Sequence, residues 1–179
     1  MMLPATTIDD LSGDFPTASA GTRWQMLSDA VMGGISAGRI SRAVIDARPA
    51  IRLQGKVSLD NNGGFIQIAL DLAPDGATID AAAFSGIALD VLGNDEEYGL
   101  HLRTSELSRP WQSYRTSFVA RPVWREMRFP FSGFVPHRTD IPLNLHLLRR
   151  IGIVAIGRAF TADVAIAGAR FYSTGSAAL

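Results

Sequence analysis

The amino-acid sequence predicts an all-β sandwich or barrel, and three observations carry that reading. Turn-forming Gly, Pro, Asn and Asp recur along the whole chain. The stretches between them are short and rich in β-branched and aromatic residues. Several of these stretches alternate apolar with polar residues at the period of a strand, and nowhere do strands alternate with amphipathic helices as a parallel sheet requires.

In chain order, Met1–Gly21 carries small and polar residues that suit a loose or edge-covering tail; a single domain is expected over 22–173 and a second tail over 174–179. Strands are expected over Arg39–Asp46, Ala50–Leu59, Gly64–Leu72, Ser85–Gly93, Glu97–Thr104, Gln112–Ala120, Val123–Pro130, Ile151–Gly157 and Asp163–Tyr172. From Ile51 to Leu59 every second residue is apolar or Gly, with Arg52, Gln54, Lys56 and Ser58 between, so one face is buried and the other meets water. Ile66, Ile68, Leu70 and Leu72 share a face opposite Gln67 and Asp71. Leu100 and Leu102 point inward, His101 and Arg103 outward. Helical signal is confined to an alanine-rich piece near Asp80–Phe84 and to Leu143–Arg150, which is long enough for only a crossover turn or two.

At 179 residues the chain is one domain, large enough to bury roughly 70% of the surface its unfolded form exposes. Lys+Arg and Asp+Glu are both 17, so no overall basic field gathers nucleic acid. The absence of cysteine excludes disulfides, thiol catalysis and thiolate-bound metals, leaving a core held by packing. No apolar run reaches the length of about 18 residues that a membrane span requires. Before Arg23 the chain has three aspartates and no basic residue, a pattern unlike a secretory signal or an Arg-rich transit peptide, and a cytoplasmic location is expected. Lys56 is the only lysine, against sixteen arginines, whose planar guanidiniums suit bidentate contacts.

Motifs for chemistry are few. Gly34-Ile35-Ser36-Ala37-Gly38 fits G-x-S-x-G, but a strand follows it where a nucleophile elbow needs a helix, so it reads as a glycine-rich turn. Neither nucleotide-binding glycine fingerprint occurs, and His101, His137 and His146 lack paired metal-ligand spacing. Asp60-Asn61-Asn62-Gly63-Gly64 offers oxygen ligands for calcium but lacks EF-hand spacing, and a connecting turn is the preferred reading. Glu96 and Glu97 read as solvated charges. No catalytic residue, cofactor or metal is assigned. A polar and aromatic group of Tyr98, His101, Arg103, Trp111, Gln112, Tyr114 and Arg115 falls on two neighbouring strands and their connection, where ring faces beside guanidiniums suit a sugar or a peptide edge. A core role for Tyr114 and Phe118, with the arginines capping the sheet, is the preferred reading. Arg128 is a weaker third outward-facing arginine.

Trp24 followed by Ser28-Asp29-Ala30-Val31-Met32-Gly33-Gly34-Ile35-Ser36 resembles the hallmark of the CIA30 family, the complex I intermediate-associated protein 30 type. Gly55–Leu59 with Asn61-Asn62-Gly63-Gly64-Phe65, then Tyr98–Thr104, Ser113–Phe118 and Trp124–Phe134, resemble that family's successive blocks, so the likeness runs from about Trp24 to Tyr172. It implies a galactose-binding-like jelly-roll sandwich, similar in architecture to several carbohydrate-binding modules. Trp24, Asp29, Gly33, Gly34, Asn61, Asn62, Gly63, Gly64 and Trp124 are then structural motif residues, the glycines allowing left-handed or close-packed backbone and Asp29, Asn61 and Asn62 satisfying loop amides. The resemblance implies a non-enzymatic interaction module that binds a protein partner, with respiratory-complex subunits as the candidates because mitochondrial members act as assembly factors for the respiratory NADH dehydrogenase. A carbohydrate ligand is the alternative. The contact candidates are Tyr98, His101, Arg103, Trp111, Gln112 and Arg115.

Overall fold

The structure, a computed structural model, describes residues 6–174. Its strands are β1 (Thr7–Asp9), β2 (Gln25–Ser28), β3 (Ala37–Ile45), β4 (Arg48–Val57), β5 (Phe65–Asp71), β6 (Gly86–Leu92), β7 (Glu97–Thr104), β8 (Ser113–Val119), β9 (Arg125–Pro130), β10 (Val135–His137), β11 (Leu148–Ile156) and β12 (Phe160–Tyr172). They form two antiparallel sheets, β3-β4-β12-β6-β9 with β1 added on β12, and β10-β8-β7-β11-β5-β2. The alternation read from the sequence sets the layers. Ile51, Leu53, Val164, Ile166, Ile87 and Leu89 of the first sheet and Ile66, Ile68, Leu70, Leu100, Leu102, Ile151 and Ile153 of the second are buried in one continuous core. The all-β jelly-roll sandwich is therefore the observed fold.

Residues 1–5 of the expected first tail lie outside the described residues; from Thr6 on, that segment covers an edge rather than hanging loose. β12 has 13 residues, and β4 pairs only with Phe160–Ile166, so the backbone near Ala169 and Arg170 is left for Thr7–Asp9. Ile8 and Leu11 enter the core, while Arg42 donates to the carbonyls of Leu11 (2.6 Å) and Gly13 (3.2 Å). Residues 175–179 of the expected second tail lie outside the described residues.

Neither helical expectation forms an α-helix. Asp80–Phe84 is a single turn closed by the Phe84 amide on the Ala81 carbonyl, because its alanines are too few to carry a helix through the next strand. Leu145–Leu147 is one 3-10 turn capped by the Asn144 side chain, and β11 already begins at Leu148. The β3–β4 hairpin turns on Asp46 and Ala47, both at positive φ (48° and 64°), a two-residue connection whose twist matches its strands.

Candidate functional site

A buried carboxylate joins the two motif loops. Ser28 caps the short turn Asp29–Met32, and Gly33 ends it at φ 85°, the left-handed conformation that glycine adopts without strain. Asp29 is fully buried beneath this turn. Its Oδ1 accepts the Ser36 amide at 3.0 Å, and its Oδ2 accepts the amides of Gly64 at 2.6 Å and Phe65 at 3.2 Å. Burial alone acts to raise the Asp29 pKa, but the bonds from Ser36, Gly64 and Phe65 outweigh it and hold the carboxyl below its ordinary value. A Cβ on Gly34 would lie 2.5 Å from the Asp29 Cγ and 2.8 Å from the Gly63 Cα, so both glycines permit the close approach. Ser36 continues the seam, its hydroxyl donating to the Ser58 carbonyl at 3.1 Å and accepting the Ser58 amide at 2.8 Å. The serine of the G-x-S-x-G match is thus bound into loop structure.

The other motif residues hold the frame. Trp24 is buried, with its indole N–H on Asp9 Oδ2 at 2.8 Å, which anchors the lead segment to β2. Trp124 donates to the Ile45 carbonyl at 2.9 Å beneath the Arg48 guanidinium, tying the approach to β9 to the β3–β4 turn. Asn61 stands in the left-handed region (φ 56°), and Asp60–Asn62 is a 3-10 turn; the Asn62 side chain lies outside the described residues.

The six contact candidates are divided by the fold. Tyr98 is a core residue: alternation puts it inward with Leu100 and Leu102, and its hydroxyl donates to Asn94 Oδ1 (2.6 Å) and accepts the Asp163 amide (2.8 Å). Burial pushes that phenol up to about 12. Tyr114 is likewise core, its hydroxyl on the Ile141 carbonyl at 2.8 Å. Arg103 faces outward but is consumed by its own loop, one terminal nitrogen donating to the carbonyls of Gln112 (2.5 Å) and Arg109 (2.9 Å). Gln112 is equally committed, accepting the amides of Ser108 and Arg109 and donating to the Arg138 carbonyl at 3.2 Å. These two residues therefore shape the β7–β8 connection instead of presenting a contact. That connection carries Trp111, 52% exposed with Arg109 5.9 Å from its ring centre. Arg128 is paired with Glu126.

What stays available lies on the outer face of β7, β8 and β10. Register puts His101 opposite Arg115, and Arg115 opposite Val135, in one row across three strands. Arg115 uses its Nε on Ser113 Oγ (2.8 Å); among the described residues no carboxylate pairs with it. Burial lowers its pKa, with Arg138 adding repulsion. Burial drives His101 down to about 3, aided by Arg115 and His137, so this imidazole is neutral near pH 7. Gly99 lies beside them: a Cβ there would meet His101 Nε2 at 2.8 Å, so the absent side chain lets the ring lie low on the sheet. The result is a shallow depression of about 380 Å³ with Glu97 toward one end, Arg115 and His101 toward the other, and Val135, 65% exposed, at the rim. Val135, Gly99 and Glu97 were not among the sequence candidates; a glycine inside an alternating strand is the signal that marks this place.

Two sheets with this strand order define a jelly-roll sandwich of the galactose-binding-like class. The family 11 carbohydrate-binding module from Clostridium thermocellum, solved with a β-1,3-1,4-mixed-linked tetrasaccharide, superposes with a TM-score of 0.73 at 14% identity over 97% of this chain and 98% of that one. The family 30 module of a cellulosomal cellulase of the same organism gives 0.69 at 13% identity, over 97% of this chain and 99% of that one. Such likeness is one of fold. By sequence, the profile of the complex I intermediate-associated protein 30 (CIA30) family matches residues 13–165, and the chain belongs to that family. No curated protein matches the chain by sequence. Among the described residues no helix is long and apolar enough to cross a membrane.

Proposed function

We propose that this chain is a non-enzymatic module that binds a protein partner through the outer face of β7, β8 and β10, and that the partner is a subunit or assembly intermediate of respiratory complex I. The observation that carries the reading is Arg115, half-buried in a row with His101 and the exposed Val135 and unpaired by any carboxylate among the described residues. A partly desolvated guanidinium beside an exposed aliphatic residue resembles the centre of a protein contact, where arginine and apolar anchors concentrate binding. The family to which the chain belongs supplies the class of partner.

Carbohydrate binding is the second reading, favoured by the sandwich neighbours and by the exposed Trp111. A sugar face needs an aromatic platform. Of the Phe, Tyr and Trp side chains described, Tyr98 alone lines the depression, and it is in the core with its hydroxyl taken. Tagged protein captured from its native cell separates the two. Recovery of complex I subunits, lost with Val135→Asp and kept with Trp111→Ala, supports protein binding. Saturable binding on a glycan panel that Trp111→Ala abolishes, with no such subunits recovered, supports the sugar.

A further inference from the structure

Neutral overall, the chain distributes its charge unevenly. On the outer face of the first sheet most arginines are paired with acids: Asp90 takes Arg48 (3.1 Å) and Arg170 (3.2 Å), Glu126 takes Arg128 and Arg170, and Asp163 takes Arg52 in a two-point pair at 2.7 and 2.8 Å, while Arg39 meets the Gln54 side-chain oxygen at 3.2 Å. The second sheet's outer face and its rim are different. Arg150 pairs with Asp71 at 2.6 Å, but among the described residues Arg103, Arg109, Arg115 and Arg138 have no carboxylate within 4.0 Å; Arg115 feels the repulsion of Arg138, His101 that of Arg115, His137 that of both, and Arg103 that of Arg150 and Arg149. Of the two that face outward from β7 and β8, Arg103 donates to loop carbonyls, whereas Arg115 has only its Nε engaged.

We infer that the depression takes an extended peptide segment of the partner, with an acidic side chain on Arg115 and a basic side chain four residues along on Glu97. This rests on the protein-binding reading above. The two terminal nitrogens of Arg115 form the fork that a carboxylate fits at two points, and neutral His101 beside them adds a hydrogen-bonding edge without further charge. Glu97 and His101 are four residues apart on β7, about 13 Å at the strand rise, the spacing of residues n and n+4 in an extended peptide whose alternate side chains face one way. The Arg158 guanidinium pairs with Glu96 and meets only the main-chain carbonyl of Glu97, leaving the Glu97 side chain to face its own partner. A continuous polyanion suits Arg115 and is repelled at Glu97, which argues for a peptide of mixed charge over a nucleic acid or an acidic glycan. Val135 offers the neighbouring apolar contact.

Titrating the full chain against fluorescein-labelled Glu-Val-Ser-Val-Lys, with Gln-Val-Ser-Val-Gln, oligothymidylate and a heparin tetrasaccharide as comparators, tests this by fluorescence anisotropy. The mixed-charge peptide is expected to bind saturably, to weaken as salt rises, and to exceed the uncharged peptide by at least about tenfold. Arg115→Ala should abolish that advantage, Arg115→Lys should keep part of it, and Glu97→Gln should reduce it while raising heparin binding; unchanged circular dichroism checks each fold. Equal binding of both peptides, tighter binding of heparin or the oligonucleotide by the unaltered chain, or indifference to Arg115→Ala overturns the inference. If the peptide fails while Val135→Asp still abolishes capture of complex I subunits, the inference falls and the protein-binding reading stands. If Val135→Asp also leaves capture unchanged, both fall.

Discussion

Replacing Asp29 by alanine should cost more stability than any other single change in the motif loops. The carboxylate is fully buried and holds three backbone amides, those of Ser36, Gly64 and Phe65, at 3.0, 2.6 and 3.2 Å. Truncation leaves all three donors without their acceptor, at about 1–3 kcal/mol each when water does not replace it. Allowing one of them to be rehydrated by loop relaxation, the expected loss is about 4 kcal/mol, or about 12 °C in Tm at the 2–4 °C per kcal/mol usual for domains of this size. Asp29→Asn is milder in volume but turns one acceptor into a donor facing either Ser36 or the Gly64–Phe65 pair, so about half that loss is expected. Urea and thermal unfolding followed by circular dichroism measure both. Because the folded-state pKa is below the unfolded one, the unfolded chain binds the extra proton between them; the stabilisation is complete above the ordinary carboxylate pKa and fades as pH falls through that window. The difference between the natural chain and Asp29→Asn should therefore narrow in acid. A Tm loss below about 3 °C for Asp29→Ala, or a difference that widens in acid, would refute the view that this carboxylate joins the loops.

Other expectations follow from backbone geometry and burial. Gly34→Ala should lower Tm about three times as much as Gly33→Ala: the first drives a Cβ to 2.5 Å from Asp29 and costs about 3 kcal/mol, while the second meets open space and costs only the left-handed strain of about 1 kcal/mol; equal losses contradict it. Ala47→Gly should raise Tm by about 3 °C, because a side chain at φ 64° is strained where the hairpin favours glycine by about 1 kcal/mol; an unchanged or lower Tm counts against the turn assignment. His101, at about 3 when folded and 6.5 when free, binds its proton preferentially in the unfolded chain between those values, so stability falls as pH drops through 6.5. By pH 5 the natural chain should lose up to about 2 kcal/mol more than His101→Gln; parallel urea midpoints from pH 7 to 5 would show that the ring is not buried as described.

The long strands were legible because each carries its own period. Ile66 to Leu72 and Leu100 to Leu102 put their apolar residues where the structure has them, and the family motif identified the same sandwich independently. β1, β2 and β10 were not read as strands. They have three or four residues, too few for a period, and exist because longer neighbours leave main-chain groups to pair. The site was partly legible. Alternation with Tyr114 and Phe118 placed Arg115 outward, and the same rule places Tyr98 inward, although its phenol resembles a ligand handle. Nothing in the order of residues shows that Arg103 and Gln112 turn back onto carbonyls and amides of their own connection. Nor does it show Val135, whose strand contains Pro136 and lacks any alternating run, crossing beside Arg115.

The central claim is that the partner sits on the outer face of β8 and β10 and not on the opposite sheet. Photocrosslinking from p-benzoylphenylalanine, placed in turn at Val135 and at Val44, both well exposed and on different sheets, tests it most directly in the native cell. The claim predicts a discrete adduct with a complex I subunit from position 135, lost with Arg115→Ala, and none from position 44. An adduct from position 44 alone, or one from position 135 that Arg115→Ala leaves intact, contradicts it.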